Sequence, residues 1–291
     1  MKKSLFLIVL CLITALLSVT GAFAKRDITS GDYTIVVLED GTAEITKYKG
    51  KANDITVPSE ISGYIITSVG SSSFVGNNLT SIILPDTLTS IGDSAFAYCK
   101  NLNSITLPNS VTSIGNSAFI QCSSLTSITL SDSLMSIGNE AFRGCSSLTS
   151  ITLPDNLTSI GDKAFAYCSS LESITLPNNI TSIGDGVFGY CENLTSITLP
   201  NNLTSIGNGA FVYCTNLTSI TLPDCLTSIG SLAFAYCSRL TSIKLPNNLS
   251  SFGTNLFWEC DKITLIVDRN SEAQKWAVQS GYNYAYPDDN L

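Results

Sequence analysis

Histidine is absent from all 291 residues. That excludes His-based catalytic triads, neutral-pH proton shuttles and imidazole metal sites. Charged residues make up only 13% of the chain, and no run of like charge is longer than two residues, as at Asp288-Asp289. With a formal charge of −8 and no basic patch, the chain offers nothing to nucleic acid or anionic lipid. Its glycines read as turn residues rather than as a phosphate-cradling loop. Carboxylates are scattered singly, and none coincides with an irregular segment that could form a pocket. No catalytic residue, cofactor or metal site is therefore expected, and the chain is read as not being an enzyme.

Long apolar runs are also missing, with one exception. Lys2 and Lys3 precede an apolar stretch from Leu5 to Val19, which is followed by Ala22-Phe23-Ala24. This order fits a secretory signal peptide over residues 1–24, cleaved after Ala24. Loss of the two lysines takes the charge to −10, and no second apolar stretch is long enough to hold the product in a membrane. The mature chain is expected to be secreted or held at the cell surface.

What the sequence has in excess is periodicity. Cys99, Cys122, Cys145, Cys168, Cys191, Cys214, Cys237 and Cys260 recur every 23 residues, each three positions after a phenylalanine. A fixed period of this length marks a stacked array of repeats. One unit, Leu148 to Ser170, reads LTSITLPDNLTSIGDKAFAYCSS. Its apolar positions, Leu148, Ile151, Leu153, Leu157, Ile160, Phe165 and Cys168, return in every unit. In LTSITLP, Ile and Leu two apart point one way while Ser and Thr point the other, the alternation of a strand. Proline closes that strand in every unit but one, where Ser131 replaces it. A second LTSI ends at glycine (Gly92, Gly115, Gly138, Gly161 and onward), where positive φ or close backbone approach would explain the residue. The DKAFAYC segment is expected to form a single helical turn. Because one coil cannot cover its own apolar face, stability must come from stacking neighbours.

Phenylalanine counts nine coils, Phe74 to Phe257. Before them, Tyr33 to Leu38 and Thr42 to Tyr48 alternate around Asp40-Gly41, a hairpin signal and an N-terminal cap. Behind them, Ser271 with Gln274, the stripe Ala273, Trp276 and Ala277, and a stop at Gly281 predict a capping helix. The domains read as 1–24 signal peptide, 25–54 N-terminal β-hairpin cap, 55–268 repeats, and 269–291 helical cap and tail. The fold class is a β-rich repeat solenoid with parallel sheets.

The pattern LxxIxLPxxLxxIGxxAFxxC, the DGTAEIT hairpin and the SEAQKWAVQSGY segment together resemble the BspA-type (Treponema pallidum type) leucine-rich repeat proteins of bacteria. That resemblance implies a curved parallel β-solenoid. It also implies a surface or secreted protein that binds host matrix or plasma glycoproteins, or other cells, in an adhesin-type role. The concave face of such arrays is the usual ligand surface, and here it would carry Ser104, Thr106, Ser127, Thr129, Ser150, Thr152, Ser173, Thr175, Ser196, Thr198, Ser219 and Thr221. The competing reading takes Ser and Thr as good polar strand residues of an envelope scaffold or spacer without a ligand. A remoter one has the hydroxyl ladders bind ice or glycan.

Two further features carry alternatives. Tyr167, Tyr190, Tyr213 and Tyr236 precede their cysteines and are either secondary contact residues or shields for the coil edge. The eight ladder cysteines are buried thiols, neighbour-to-neighbour disulfides, or metal ligands. Cys225 alone breaks the period, which makes it the candidate reactive thiol. An extracellular protein or glycoprotein is the expected partner, bound by a monomer.

Overall fold

A computed structural model describes residues 27–289; the signal-peptide call at 1–24 lies outside them. The chain winds as a parallel β-solenoid in which each 23-residue coil adds one rung to two strand lanes. The first lane runs through Asp54–Thr56, Ser81–Ile83, Ser104–Thr106 and Ser127–Thr129, paired parallel and in register. It resumes with Ser173–Thr175 beside Ser196–Thr198, and again with Ser242–Lys244, Thr264–Ile266 and Tyr284–Ala285. Residues 150–153 and 219–222 keep the same alternation of exposure without regular ladder pairing. The second lane runs from Tyr64–Val69 through Ser90–Ile91, Ser113–Ile114 and Ser136–Ile137 to Ser159–Ile160. It restarts at Ser182–Ile183 and continues to Ser251–Phe252.

In the strands Ser104–Thr106, Ser127–Thr129, Ser173–Thr175 and Ser196–Thr198 the pattern is exposed, buried, exposed: Ser and Thr face water and the isoleucine between them enters the core. The core is one column of like on like. Nine phenylalanines are almost completely buried, with ring centroids 5.2–5.7 Å apart from Phe74 to Phe257. Tyr48 stacks on the first at 5.2 Å and Tyr282 meets the last edge-on at 5.7 Å. The nine phenylalanine coils thus gain an aromatic rung at each end, about eleven turns in all.

The expected helical turn does not form. Ser94 and Tyr98 adopt left-handed φ of 54° and 61°, which breaks a helix after every few residues. The N–H groups of Ser94, Phe96 and Tyr98 donate to carbonyls of the next coil, Asn116, Ala118 and Ile120, each at 2.8 Å. Those of Ala95, Ala97 and Cys99 return to Gly92, Ser94 and Phe96 of their own coil. Consecutive turns therefore gain three inter-coil hydrogen bonds that one helical turn would spend on itself.

Of the two reasons offered for the repeat glycine, close approach is the one that operates. A Cβ on Gly138 would stand 2.6 Å from Asn116 N and Gly115 C of the preceding coil, both backbone atoms. Gly138→Ala should force two coils apart and lower stability by about 2–3 kcal/mol in urea melts. Gly186→Ala, with φ of +61° and only the flexible Lys163 side chain near, should cost about 1 kcal/mol. Equal losses would refute the close-approach account.

The ends are covered as expected. Tyr33–Val37 and Ala43–Tyr48 form the hairpin, with Asp27–Ser30 added as a third antiparallel strand. At the other end Ser271 caps the helix Glu272–Ser280 by accepting from Gln274 N at 3.1 Å, and Gly281 closes it in the left-handed region. Ala273 and Ala277 face the last coil, while Trp276 stacks on Phe252 at 4.7 Å.

Candidate binding face

All twelve Ser and Thr residues expected on the ligand surface are exposed, in two rows flanking the buried isoleucines of the first lane. On the same row Ile83 stands in place of threonine one coil before Thr106, and Lys244 one coil after Thr221. The threonines just before these strands behave differently. Thr126 and Thr195 pass their hydroxyl protons to Asn103 O and Glu172 O of the preceding coil at 3.1 Å. Thr158, Thr204 and Thr227 do the same before the second lane. None of the twelve lane hydroxyls bonds to another of the described residues, so their capacity is available to a ligand. At the lane's N-terminal end Ser81 shows what such a hydroxyl does when an acceptor arrives: it donates to Asp54 Oδ1 at 2.7 Å.

Shallow furrows follow the face. One of 330 Å³ runs between the coils of Ser150–Leu153 and Ser173–Thr175, and one of 300 Å³ continues past Thr198; Asp155 borders both. Asp155 belongs to a column that the reading of the carboxylates as singly scattered did not bring out. Asp86, Asp132, Asp155 and Asp224 all sit one residue after the proline position, beside the hydroxyl rows. The signal was their common phase in the repeat.

The tyrosines form a stack. Tyr167, Tyr190, Tyr213 and Tyr236 lie with centroids 4.4, 4.7 and 4.1 Å apart and planes within 13°. Arg143 lies over the Tyr167 face at 5.4 Å. Offset stacking of this kind turns ring edges outward and consumes the faces.

The cysteine ladder is a run of free thiols in the core. Each Sγ donates to the phenylalanine carbonyl of the preceding coil: Cys122 to Phe96, Cys145 to Phe119, Cys168 to Phe142, at 3.1–3.2 Å. Burial pushes every one of these thiols upward, Cys99 and Cys260 at the ends to about 11 and the inner ones further. Cysteine suits the position because it is compact and apolar yet carries a donor for an otherwise half-used carbonyl. Cys225 is half-buried at its turn and donates to Asn201 O at 2.8 Å. It takes the place that Asn156, Asn179 and Asn248 fill in other coils, each bonding the preceding coil's carbonyl.

A second polar ladder also escaped notice. Asp93, Asn116, Asn139, Asp162, Asp185 and Asn208 follow the repeat glycine, and each side-chain oxygen accepts from the backbone N–H one coil on, at 2.6–2.9 Å. Gly184-Asp185-Gly186-Val187-Phe188-Gly189 carries the letters of a dinucleotide fingerprint. No helix follows it and Phe188 is core, so the context that gives those letters meaning is missing. Among the described residues no His/Cys/Asp/Glu cluster could hold a metal, and no helix is long and apolar enough to cross a membrane.

The family described as BspA type leucine rich repeat region, in six copies, matches residues 67–188 and 158–276. The crystal structure of a T. pallidum leucine-rich repeat protein shares 33% identity, covering 66% of this chain and 91% of its own, with a TM-score of 0.62. A leucine-rich repeat protein from Bacteroides ovatus shares 31% identity over 90% of this chain and 76% of its own, with a TM-score of 0.74. A search of curated proteins returns no match.

Proposed function

The chain belongs to the BspA-type leucine-rich repeat family, and from that premise we propose that it is a secreted or surface-held binding protein of adhesin type, engaging an extracellular protein or glycoprotein through its hydroxyl-bearing strand face. Repeat arrays of this kind generally serve as non-enzymatic binding scaffolds, and the lack of histidine agrees with that role. The observation that carries the reading is the contrast between two sets of hydroxyls on the same coils. Most of the threonines that precede the strands, Thr126, Thr158, Thr195, Thr204 and Thr227 among them, are spent on neighbouring carbonyls, with Thr149, Thr181 and Thr241 the exceptions; the twelve on the strands have no partner among the described residues. A purely structural row would gain from spending them too.

The test replaces Thr152, Thr175 and Thr198 with tryptophan, which fits a strand and changes no charge. Wild type and variant are screened against immobilised matrix and plasma glycoproteins after their melting temperatures are compared. A partner bound by wild type and weakened at least about tenfold in the folded variant supports the face. Undiminished binding by the variant refutes it, and no binding by either protein favours the spacer reading.

A further inference from the structure

We infer that the partner of the hydroxyl face is cationic: an extended protein segment whose lysine or arginine side chains drop into the furrows beside the aspartate column. This deepens the preceding reading and rests on it. The charge distribution carries the inference. Of the six basic residues in the repeats, Lys100, Arg143, Lys163, Arg239 and Lys262 fall on the turn side of the coil, between the repeat glycine and the next strand, and Lys244 alone lies on the first lane. From residue 79 to residue 227 the first lane and the turn that closes it contain no lysine or arginine at all. The same region holds Asp86, Asp132, Asp155, Glu172 and Asp224, all exposed. None of the three ion pairs among the described residues involves them.

Asp132 and Asp155 stand on adjacent coils, so two like charges sit one rung apart, an arrangement that costs energy unless a cation intervenes. Their backbones are held in place, since Asn156 and Asn179 bond the carbonyls of Asp132 and Asp155 at 2.9 and 2.8 Å. Their carboxylates have no described partner. Asp155 lines the two furrows that also contain Thr152, Thr175 and Thr198. At the C-terminal end the chain supplies its own example of the occupant. Lys244 replaces threonine on the lane and shares a 360 Å³ furrow with Asp224 and Asp268. Lys244 stands to Asp224 in the repeat as Thr175 stands to Asp155, so a partner's basic side chain above Thr175 would share a furrow with Asp155 as Lys244 shares one with Asp224. An anionic partner, such as a sulfated glycan, would meet Asp132, Asp155 and Glu172 with no lysine or arginine on the lane beside them.

The full mature protein is titrated with a labelled, unstructured ten-residue lysine–serine peptide and with its glutamate–serine counterpart. The lysine peptide should bind and the glutamate peptide should not, with affinity falling as salt is raised. A triple variant, Asp132→Asn, Asp155→Asn and Glu172→Gln, should weaken the lysine peptide about tenfold. Glu192→Gln, Glu259→Gln and Asp261→Asn remove the same charge from the turn side and should change it less than about twofold. Equal weakening by both triples, preference for the glutamate peptide, or no binding of the lysine peptide would overturn the inference. The tryptophan variant separates it from the reading beneath. If that variant loses a glycoprotein that the Asp132/Asp155/Glu172 triple still binds, the face is a binding face and only the cationic class fails. If it loses nothing, the face itself fails.

Discussion

Between pH 9 and 11 the protein should lose stability with unusual steepness. The eight ladder thiols are buried and their pKa values are raised, to about 11 at Cys99 and Cys260 and beyond that in the interior. In the unfolded chain a thiol returns to its ordinary value near 9.0. Above that pH the unfolded state releases protons that the folded state keeps, so the unfolding free energy falls as pH rises. Below it both states hold the proton and the term is flat. Each thiol contributes about 1.4 kcal/mol per pH unit through this window, and eight contribute together because unfolding of stacked coils releases them together. Urea midpoints measured from pH 7 to 11 should be level up to about pH 8.5 and then fall sharply. Cys145→Ala, Cys168→Ala and Cys191→Ala combined should lower stability at neutral pH and flatten the alkaline slope by about three thiols' worth. An unchanged slope in that variant would mean that tyrosines or backbone effects, not the cysteine ladder, set the alkaline limit.

Much of the fold was legible because repetition multiplies weak signals. One LTSITLP segment is an ambiguous apolar stretch; eight in register, each with Phe and Cys at a fixed distance, admit only a stacked array, and the hairpin and helix caps carried their own turn and capping residues. The turn segment was misread for a physical reason. Local propensity favours a helical turn for DKAFAYC, but the hydrogen bonds that decide the conformation go to a neighbouring coil, and one coil's sequence does not display its neighbour. Left-handed conformations at Ser94, Lys163, Leu232 and four stacked tyrosines follow from that same ladder.

The candidate face was legible in its residues but not in its chemistry. Thr126 and Thr129 are identical in type and three positions apart, yet one hydroxyl is tied to Asn103 O and the other is free. Only the register between coils separates them. The thiol-to-carbonyl bonds are hidden in the same way: the 23-residue period places Cys122 one coil past Phe96, but the choice of the preceding coil's carbonyl as acceptor depends on how the turns stack. The aspartate column was visible in phase and overlooked because each carboxylate was weighed singly.

The stacked phenylalanines lead to the other large effect. Phe165→Ala should cost about 3–5 kcal/mol, and it should do so by dividing the array. Phe165 is fully buried, 5.4 Å from Phe142 and 5.7 Å from Phe188. Its coil is the one where backbone pairing is thinnest. Residues 150–153 lack regular pairing in the first lane, and Ser159–Ile160 pairs with the coil before it but not with the coil after. Contact with the next coil falls to the turn bonds from Lys163, Phe165 and Tyr167, to single bonds such as those from Glu172 N, Asn179, Asp185 N and Cys191 back to Thr149, Asp155, Asp162 and Phe165, and to the aromatic stack. Phe119 is equally buried, but its coil is paired in register along both lanes. In a one-dimensional array a lost interface weakens communication between the two sides in proportion to what else joins them. Phe119→Ala should therefore shift a single urea transition, whereas Phe165→Ala should split it in two, with amides before residue 148 and after residue 171 exchanging with solvent at different denaturant concentrations. Single transitions of equal midpoint for both variants would show that the gaps in the strand lanes carry no weakness and that the phenylalanine stack contributes the same at every rung.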